Sequence, residues 1–328
     1  MSDTLLLTGA DGYVGRRLAE RLGRHVEVIG ISRRGLSGLA CELLDEAALD
    51  EAARTIAPRW IIHAAGNKNI SACEKTPMMA YDANVRTATN VLRAWPDVPM
   101  LYISTDYVFA GTAGGYDERS PVAPTTVYGK SKLCAEVTGQ LTAAGRFTSV
   151  RVSALYDDEG AFLKFLSGEL GQGHAVDCFV DAYYTPTYMP DFADALLALL
   201  RAPSRPEVVH IAGARVSRYD FARLYAEAFG FDPGLVRPAY LADQPTNLMP
   251  DLSLTTPVSA GLIGFEPTPH DRALRLIAQG VVHADAQPVS SVLRFPGPNA
   301  RSDQRRPVGR DQLHRDRSVV RTGWTLPS

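Results

Sequence analysis

The sequence predicts a doubly wound α/β fold on a parallel sheet, and three observations carry that prediction. Short apolar runs recur at residues 5–8, 26–31, 60–63, 100–104 and 148–152, the composition expected of strands buried on both faces. Helical patterns, among them 78–95 and 127–142, lie between those runs, and such alternation implies parallel strands with ligands at their carboxyl ends. A glycine-spaced turn joins the first run to the first helical pattern.

The first run leads into Thr8-Gly-Ala-Asp-Gly-Tyr-Val-Gly15, after which Val14, Leu18 and Leu22 fall on one helical face. Gly9, Gly12 and Gly15 allow a tight turn, close backbone approach to a pyrophosphate, and close packing of helix on strand. The helix N-terminus then offers free N–H groups to phosphate. The whole motif, with Asp11, Tyr13 and Val14, is the expected dinucleotide contact. At the end of the second run the sequence reads Ile29-Gly-Ile-Ser-Arg-Arg34, without a carboxylate. An acid there grips ribose hydroxyls in NAD sites, whereas arginine accepts a 2′-phosphate. Arg33 and Arg34 therefore favour NADP(H) over NAD(H).

The third run ends in His63-Ala-Ala-Gly66. His63 lies in an apolar strand with no partner at metal-ligand spacing, so it reads as a packed histidine, and no metal site is expected. Ala64, Ala65 and Gly66 are small enough for a cofactor's phosphates and ribose to come close. Asn84, in the 78–95 helix, either orders a water or backbone group or sits on the helix surface. The fourth run ends in the hydroxyls of Ser104 and Thr105. Tyr128 and Lys132 are four residues apart, and on a helix they share one face. An ammonium beside a phenol is expected to lower its pKa from about 10, so that it can exchange a proton with a sugar or alcohol oxygen. Taken alone, Tyr-x-x-x-Lys is a common accident of helices.

Bulk properties exclude other classes. The chain has 328 residues, 45% hydrophobic and 21% charged, with a formal net charge of -2. That is an ordinary globular composition with no overall field for nucleic acid. Cysteines at 41, 73, 134 and 178 form no Cys-x-x-Cys pair, which fits a reducing cytoplasm rather than a zinc ribbon or redox couple. No stretch approaches the roughly 20 apolar residues of a membrane span, and the opening Met-Ser-Asp, with an apolar run that stops at Gly9, leads us to expect no secretory signal. From about residue 283 the sequence is rich in Arg, Pro, Ser and Gln. A basic segment of this kind can bind anions, but the composition points to a disordered tail over 283–328.

Together these motifs resemble the extended short-chain dehydrogenase/reductase family, within the NAD-dependent epimerase/dehydratase superfamily, over roughly residues 3 to 280. Ser104-Thr-Asp-Tyr-Val-Phe109, Tyr116-Asp-Glu118, Tyr128-Gly-Lys-Ser-Lys-Leu133 and Thr185-Pro-Thr-Tyr188 look most like the dTDP-4-dehydrorhamnose reductase subgroup. The resemblance implies a Rossmann domain over 1–152, a smaller, mainly substrate-binding lobe over 153–282, and NADPH-dependent reduction of a nucleotide-linked 4-keto-6-deoxy sugar. It implies Tyr128 as proton partner, Lys132 as its tuner and a ribose contact, and Thr105 as the hydroxyl beside the substrate carbonyl. It places adenine contacts at Glu42 and Leu43, and substrate contacts at Lys68, Ile70, Ser104, Asp106 and Tyr107.

Related dehydratases carry Asp-Glu after the threonine, whereas here Asp106 is followed by Tyr107, which disfavours dehydration and leaves ketoreduction intact. Ala154 stands where the subgroup often has tryptophan, so the sugar stays open. Two other readings remain: an epimerase that retains NAD, and a non-catalytic subunit resembling the methionine adenosyltransferase beta subunit. The implied partner is a nucleotide sugar, with no nucleic acid or membrane, and a homodimer is left open.

Overall fold

The computed structural model of the chain describes residues 3–243, 246 and 248–281. The expected tail over 283–328 lies outside the described residues. In chain order the first six strands are β1 (Thr4–Thr8), β2 (Glu27–Ser32), β3 (Leu39–Ala40), β4 (Trp60–His63), β5 (Met100–Thr105) and β6 (Phe147–Val152). Four short strands follow: β7 (Leu155–Tyr156), β8 (Val176–Phe179), β9 (Tyr183–Tyr184) and β10 (Thr187–Tyr188). Then come β11 (Val208–His210), β12 (Val216–Ser217) and β13 (Val236–Ala239). The main sheet has the order β11-β6-β5-β4-β1-β2-β3, and every pairing in it is parallel. Chain direction across the sheet reverses between β1 and β4, which places a crevice at their carboxyl ends.

Strand alternation fills two cores at once. Leu5 and Leu7 of β1, Ile62 of β4, Leu101 of β5 and Val150 of β6 face one layer. Leu6, Ile61, Met100, Tyr102 and Phe147, at the alternate positions of the same strands, face the other. A two-residue period dictates this division, and each fully buried leucine or isoleucine contributes about 1.5–3 kcal/mol. The first layer is closed by α1 (Tyr13–Leu22) and α8 (Met189–Arg201), through Leu18, Leu22, Phe192 and Leu196. The second is closed by α2 (Glu46–Thr55), α5 (Thr87–Ala94) and α6 (Val127–Thr142), with Leu49 and Val91 in its core.

The pattern expected to form one helix over 78–95 is divided into α4 (Pro77–Tyr81), a π-turn (Asp82–Arg86) and α5. The extra residue of the π-turn carries Asn84 into the interior, where it is fully buried.

Residues beyond 153 do not all belong to a separate lobe. α8 and β11 return to the main sheet, because their apolar faces complete its first core. The lobe itself gathers α7 (Ala161–Leu170), α9 (Arg218–Phe229) and α11 (His270–Ala278) around the β8–β13 pair. Leu163, Leu166, Val176, Tyr225, Val236 and Leu274 form its core.

Candidate active site

A cavity of about 480 Å³ opens at the carboxyl ends of β1, β4 and β5 and is walled on its far side by the lobe. Its cofactor end is shaped by close approach. A Cβ on Gly15 would stand 2.2 Å from Gly9 O, so only glycine lets α1 begin this close to the turn. Gly12 is the N-cap of α1 and makes no side-chain cap bond, which leaves helix N–H groups without a side-chain partner in the crevice wall. Gly12, Tyr13, Val14, Gly15, Ala64, Ala65 and Gly66 all line the cavity.

Gly9, Asp11, Arg33, Arg34, Glu42 and Leu43 lie outside that lining. Asp11 is committed within the chain: its carboxylate accepts from Ser32 Oγ at 2.6 Å, Ser37 N at 2.9 Å and Leu36 N at 3.2 Å. Although burial opposes it, those bonds leave the carboxyl below its usual range. It thereby fastens the first turn to the loop after β2, on which Arg33 and Arg34 are exposed. Arg34 Nε lies 3.8 Å from Asp11 Oδ2. Leu43 is packed into the core at 4% exposure, while Glu42 is exposed.

The chemical end is built by β5 and α6. Thr126 caps α6 by accepting from Gly129 N at 3.0 Å. Gly129 permits a close approach, since a Cβ there would meet Tyr107 O at 2.1 Å. That contact brings Tyr128 against Tyr107, ring centroids 5.8 Å apart and edge-on. Thr105 is buried; its Oγ1 donates to Asp106 Oδ1 at 3.0 Å and accepts from Tyr107 N at 3.2 Å. Lys132 Nζ donates to Ile103 O at 2.6 Å and lies 4.0 Å over the Tyr102 ring.

The electrostatics correct one expectation. Burial holds the Tyr128 phenol above its ordinary pKa, with Thr105 acting in the opposite direction and Asp106 adding to the rise. The ammonium expected to lower it is bonded to Ile103 O instead, and burial pulls Lys132 itself down to about 7 against the field of Glu136. Tyr128 is therefore protonated at neutral pH.

Ser104 borders the cavity, but its hydroxyl donates to Glu136 Oε1. Glu136 in turn pairs with Arg151 at 2.7 Å, both side chains 5% exposed. The Ser104 hydroxyl is thus bound into a buried pair behind the strand rather than offered to a ligand. Asn84 orders backbone: its Oδ1 accepts from Asn67 N at 2.7 Å, and its Nδ2 donates to Asn67 O and to Ser131 Oγ. The surface alternative fails. His63 is a packed histidine, fully buried between Thr8 and Thr87, and burial pulls its pKa down to about 3.

Asp106 Oδ2 accepts from Ser153 Oγ at 2.6 Å. Burial pushes Asp106 up to about 6 against its hydrogen bonds and the field of Arg218. The Tyr107 phenol is pushed up to about 12 by burial and by Asp106. Lys68 Nζ stands 5.9 Å from the Tyr13 ring centroid, and Ile70 begins the short helix α3 (Ile70–Lys75) on the cavity rim. Sequence reasoning missed Ser153 and Arg218, both in the lining. A serine directly after a predicted strand was a weak signal, and an arginine opening a helix gave none.

Among the described residues, no group of three or more His, Cys, Asp or Glu could hold a metal ion, and no helix is long and apolar enough to cross a membrane.

The family model described as RmlD substrate binding domain matches residues 3–277. A dTDP-4-dehydrorhamnose reductase of Mycobacterium tuberculosis is 33% identical over 254 residues, covering 74% of this chain and 81% of that protein. The methionine adenosyltransferase 2 subunit beta of Xenopus laevis is 29% identical over 75% of this chain and 77% of its own length. A crystal structure of dTDP-4-dehydrorhamnose reductase from Bacillus anthracis in complex with NADP superposes with a TM-score of 0.76 at 24% identity, covering 85% of this chain and all of that one. One of a hypothetical dTDP-4-dehydrorhamnose reductase from Sulfolobus tokodaii gives 0.73 at 29% identity, covering 82% and 98%. With most of its length matched by both the family model and these relatives, the chain belongs to the RmlD substrate binding domain family.

Proposed function

We propose that the chain is an NADPH-dependent reductase of a nucleotide-linked 4-keto-6-deoxy sugar. One observation carries this reading: Thr105, Tyr128 and Lys132 line one cavity with the Gly12–Gly15 turn, in a family whose named relatives include such reductases. The residues fit a dinucleotide. Gly9 and Gly15 leave a cradle that a Cβ would fill, the uncapped start of α1 suits a pyrophosphate, and Arg33 and Arg34 suit a 2′-phosphate. Bound there, reduced nicotinamide would supply the hydride.

The chain's own residues do the rest. Tyr128, held protonated by burial, is the general acid that gives its proton to the oxygen of the reduced carbonyl. Thr105 has one hydroxyl proton, directed at Asp106; turning it to the substrate oxygen leaves Asp106 its bond from Ser153. Lys132, fixed on Ile103 O, ties α6 to β5 beside the phenol, and its remaining N–H donors suit the nicotinamide ribose. Tyr107, Asp106, Lys68 and Ile70 face the sugar, and the lobe around α9 is the substrate wall. On this reading the enzyme works in the cytoplasm.

The test is a screen of NADPH oxidation over a panel of nucleotide 4-keto sugars. Turnover of one or more members supports the assignment. The similarity to the methionine adenosyltransferase subunit beta favours a second reading, a non-catalytic subunit. Stable co-purification with a larger enzyme, and no turnover of any panel member, would select it.

A further inference from the structure

Arg218 is the first residue of α9 and lines the cavity from the lobe side. Its guanidinium lies 4.5 Å over the Tyr184 ring and 5.8 Å from that of Phe162. No carboxylate pairs with it among the described residues. Nearby Arg215 shows the contrast: it also stacks, at 3.6 Å over Tyr183, but is neutralised by Asp251 at 2.7 Å. Arg218 therefore keeps its forked N–H donors for the cavity.

Among the described residues, the three cationic side chains that line the cavity, Lys68, Lys132 and Arg218, sit in different places. Lys132 is bonded to β5, and Lys68 stands by Tyr13 of the glycine turn. Arg218 belongs to the opposite wall, at the start of α9 and stacked on Tyr184, and its charge acts on Asp106 and Tyr107. It is thus next to the sugar end of the site and away from the pyrophosphate cradle. An anion there would be attached to the sugar rather than to the cofactor. A rigid planar fork on an aromatic face suits two phosphate oxygens held side by side.

We propose that Arg218, braced on Tyr184, is the clamp for the diphosphate of the sugar-nucleotide substrate. The proposal rests on the nucleotide-sugar reading above and names the residue that recognises the nucleotide. Because the diphosphate is remote from the reacting carbonyl, the clamp binds ground and transition states alike and acts on KM rather than kcat.

The test measures binding of dTDP, dTMP and NADPH to wild type, Arg218→Gln and Arg218→Lys by calorimetry, with thermal melting to confirm that each variant folds. Arg218→Gln should weaken dTDP by about 10- to 100-fold, as expected for loss of charge-assisted hydrogen bonds. dTMP should lose less, Arg218→Lys should recover part of the loss, and NADPH affinity should stay within about twofold. Unchanged dTDP affinity in Arg218→Gln, equal losses for dTDP and NADPH, or no dTDP binding by wild type would each overturn the proposal. Arg218-dependent dTDP binding without turnover of any 4-keto sugar would leave the clamp standing and overturn the reductase assignment instead.

Discussion

Replacing Glu136 with Gln tests how the catalytic strand and helix are held together. Glu136 lies one helical turn beyond Lys132, and its two oxygens accept from Arg151 Nε at 3.1 and 3.2 Å, and from Nη2 at 2.7 Å. Ser104 Oγ donates to the same carboxylate, and Arg151 lies 5.2 Å from the Phe109 ring centroid. Glu136→Gln keeps the volume but leaves a buried guanidinium without its counter-charge, which costs about 3–5 kcal/mol. Glu136→Leu with Arg151→Met removes both charges, and the remaining cost is that of an unpartnered Ser104 hydroxyl, about 1–3 kcal/mol. Urea unfolding should therefore find the double variant more stable than the single one. Glu136 also opposes the burial that pulls Lys132 down to about 7, so the alkaline limb of kcat/KM should move to lower pH in Glu136→Gln. A single variant that loses less than about 1 kcal/mol, or a double variant that loses the sum of its parts, would refute this account.

Three other outcomes follow from the site. Tyr128→Phe should lower turnover by about 10²- to 10⁴-fold, the usual share of a general acid, with NADPH affinity retained in a fluorescence titration. Arg33→Ala with Arg34→Ala should weaken NADPH far more than NADH, and equal losses would remove the basis for the NADP preference. Asp106 has a folded pKa of about 6, above its unfolded value of about 3.9. Its contribution to stability is fully present below about pH 4 and is lost as pH rises through 6, by about 3 kcal/mol in total. Asp106→Asn should flatten that part of the urea-midpoint profile, and parallel profiles for the two proteins would show the carboxyl to be unperturbed.

Five of the seven strands of the main sheet, all but β3 and β11, were legible because they are apolar on both faces, and the glycine turn because it has a strand before it and a helix after it. The helix over 127–142 was read to the residue. The π-turn was not, because the side chain it buries, Asn84, is polar and its partners, Asn67 and Ser131, are remote in sequence. The short strands after residue 153 were illegible for a different reason: β7, β9, β10 and β12 are two residues long, too short to show a period. Among the site residues, Thr105, Tyr128 and Lys132, which the resemblance put together, line one cavity, but residue spacing left much unsaid. It could not tell that Lys132 bonds to the backbone of β5, nor that the Ser104 hydroxyl turns away to Glu136. Both depend on burial, which residue spacing does not encode. Arg218 escaped because the sequence does not show that, among the described residues, no carboxylate pairs with it.

In the proposed reaction hydride passes from cofactor to sugar with net consumption of NADPH, and isotope transfer tests this most directly. With NADPH deuterated at the transferred position and a nucleotide 4-keto sugar, the account predicts one NADPH consumed per sugar reduced, with deuterium on the former carbonyl carbon. An epimerase returns the hydride to the sugar it came from. A changed stereocentre with no loss of reduced nicotinamide and no label in the sugar would contradict the reductase assignment.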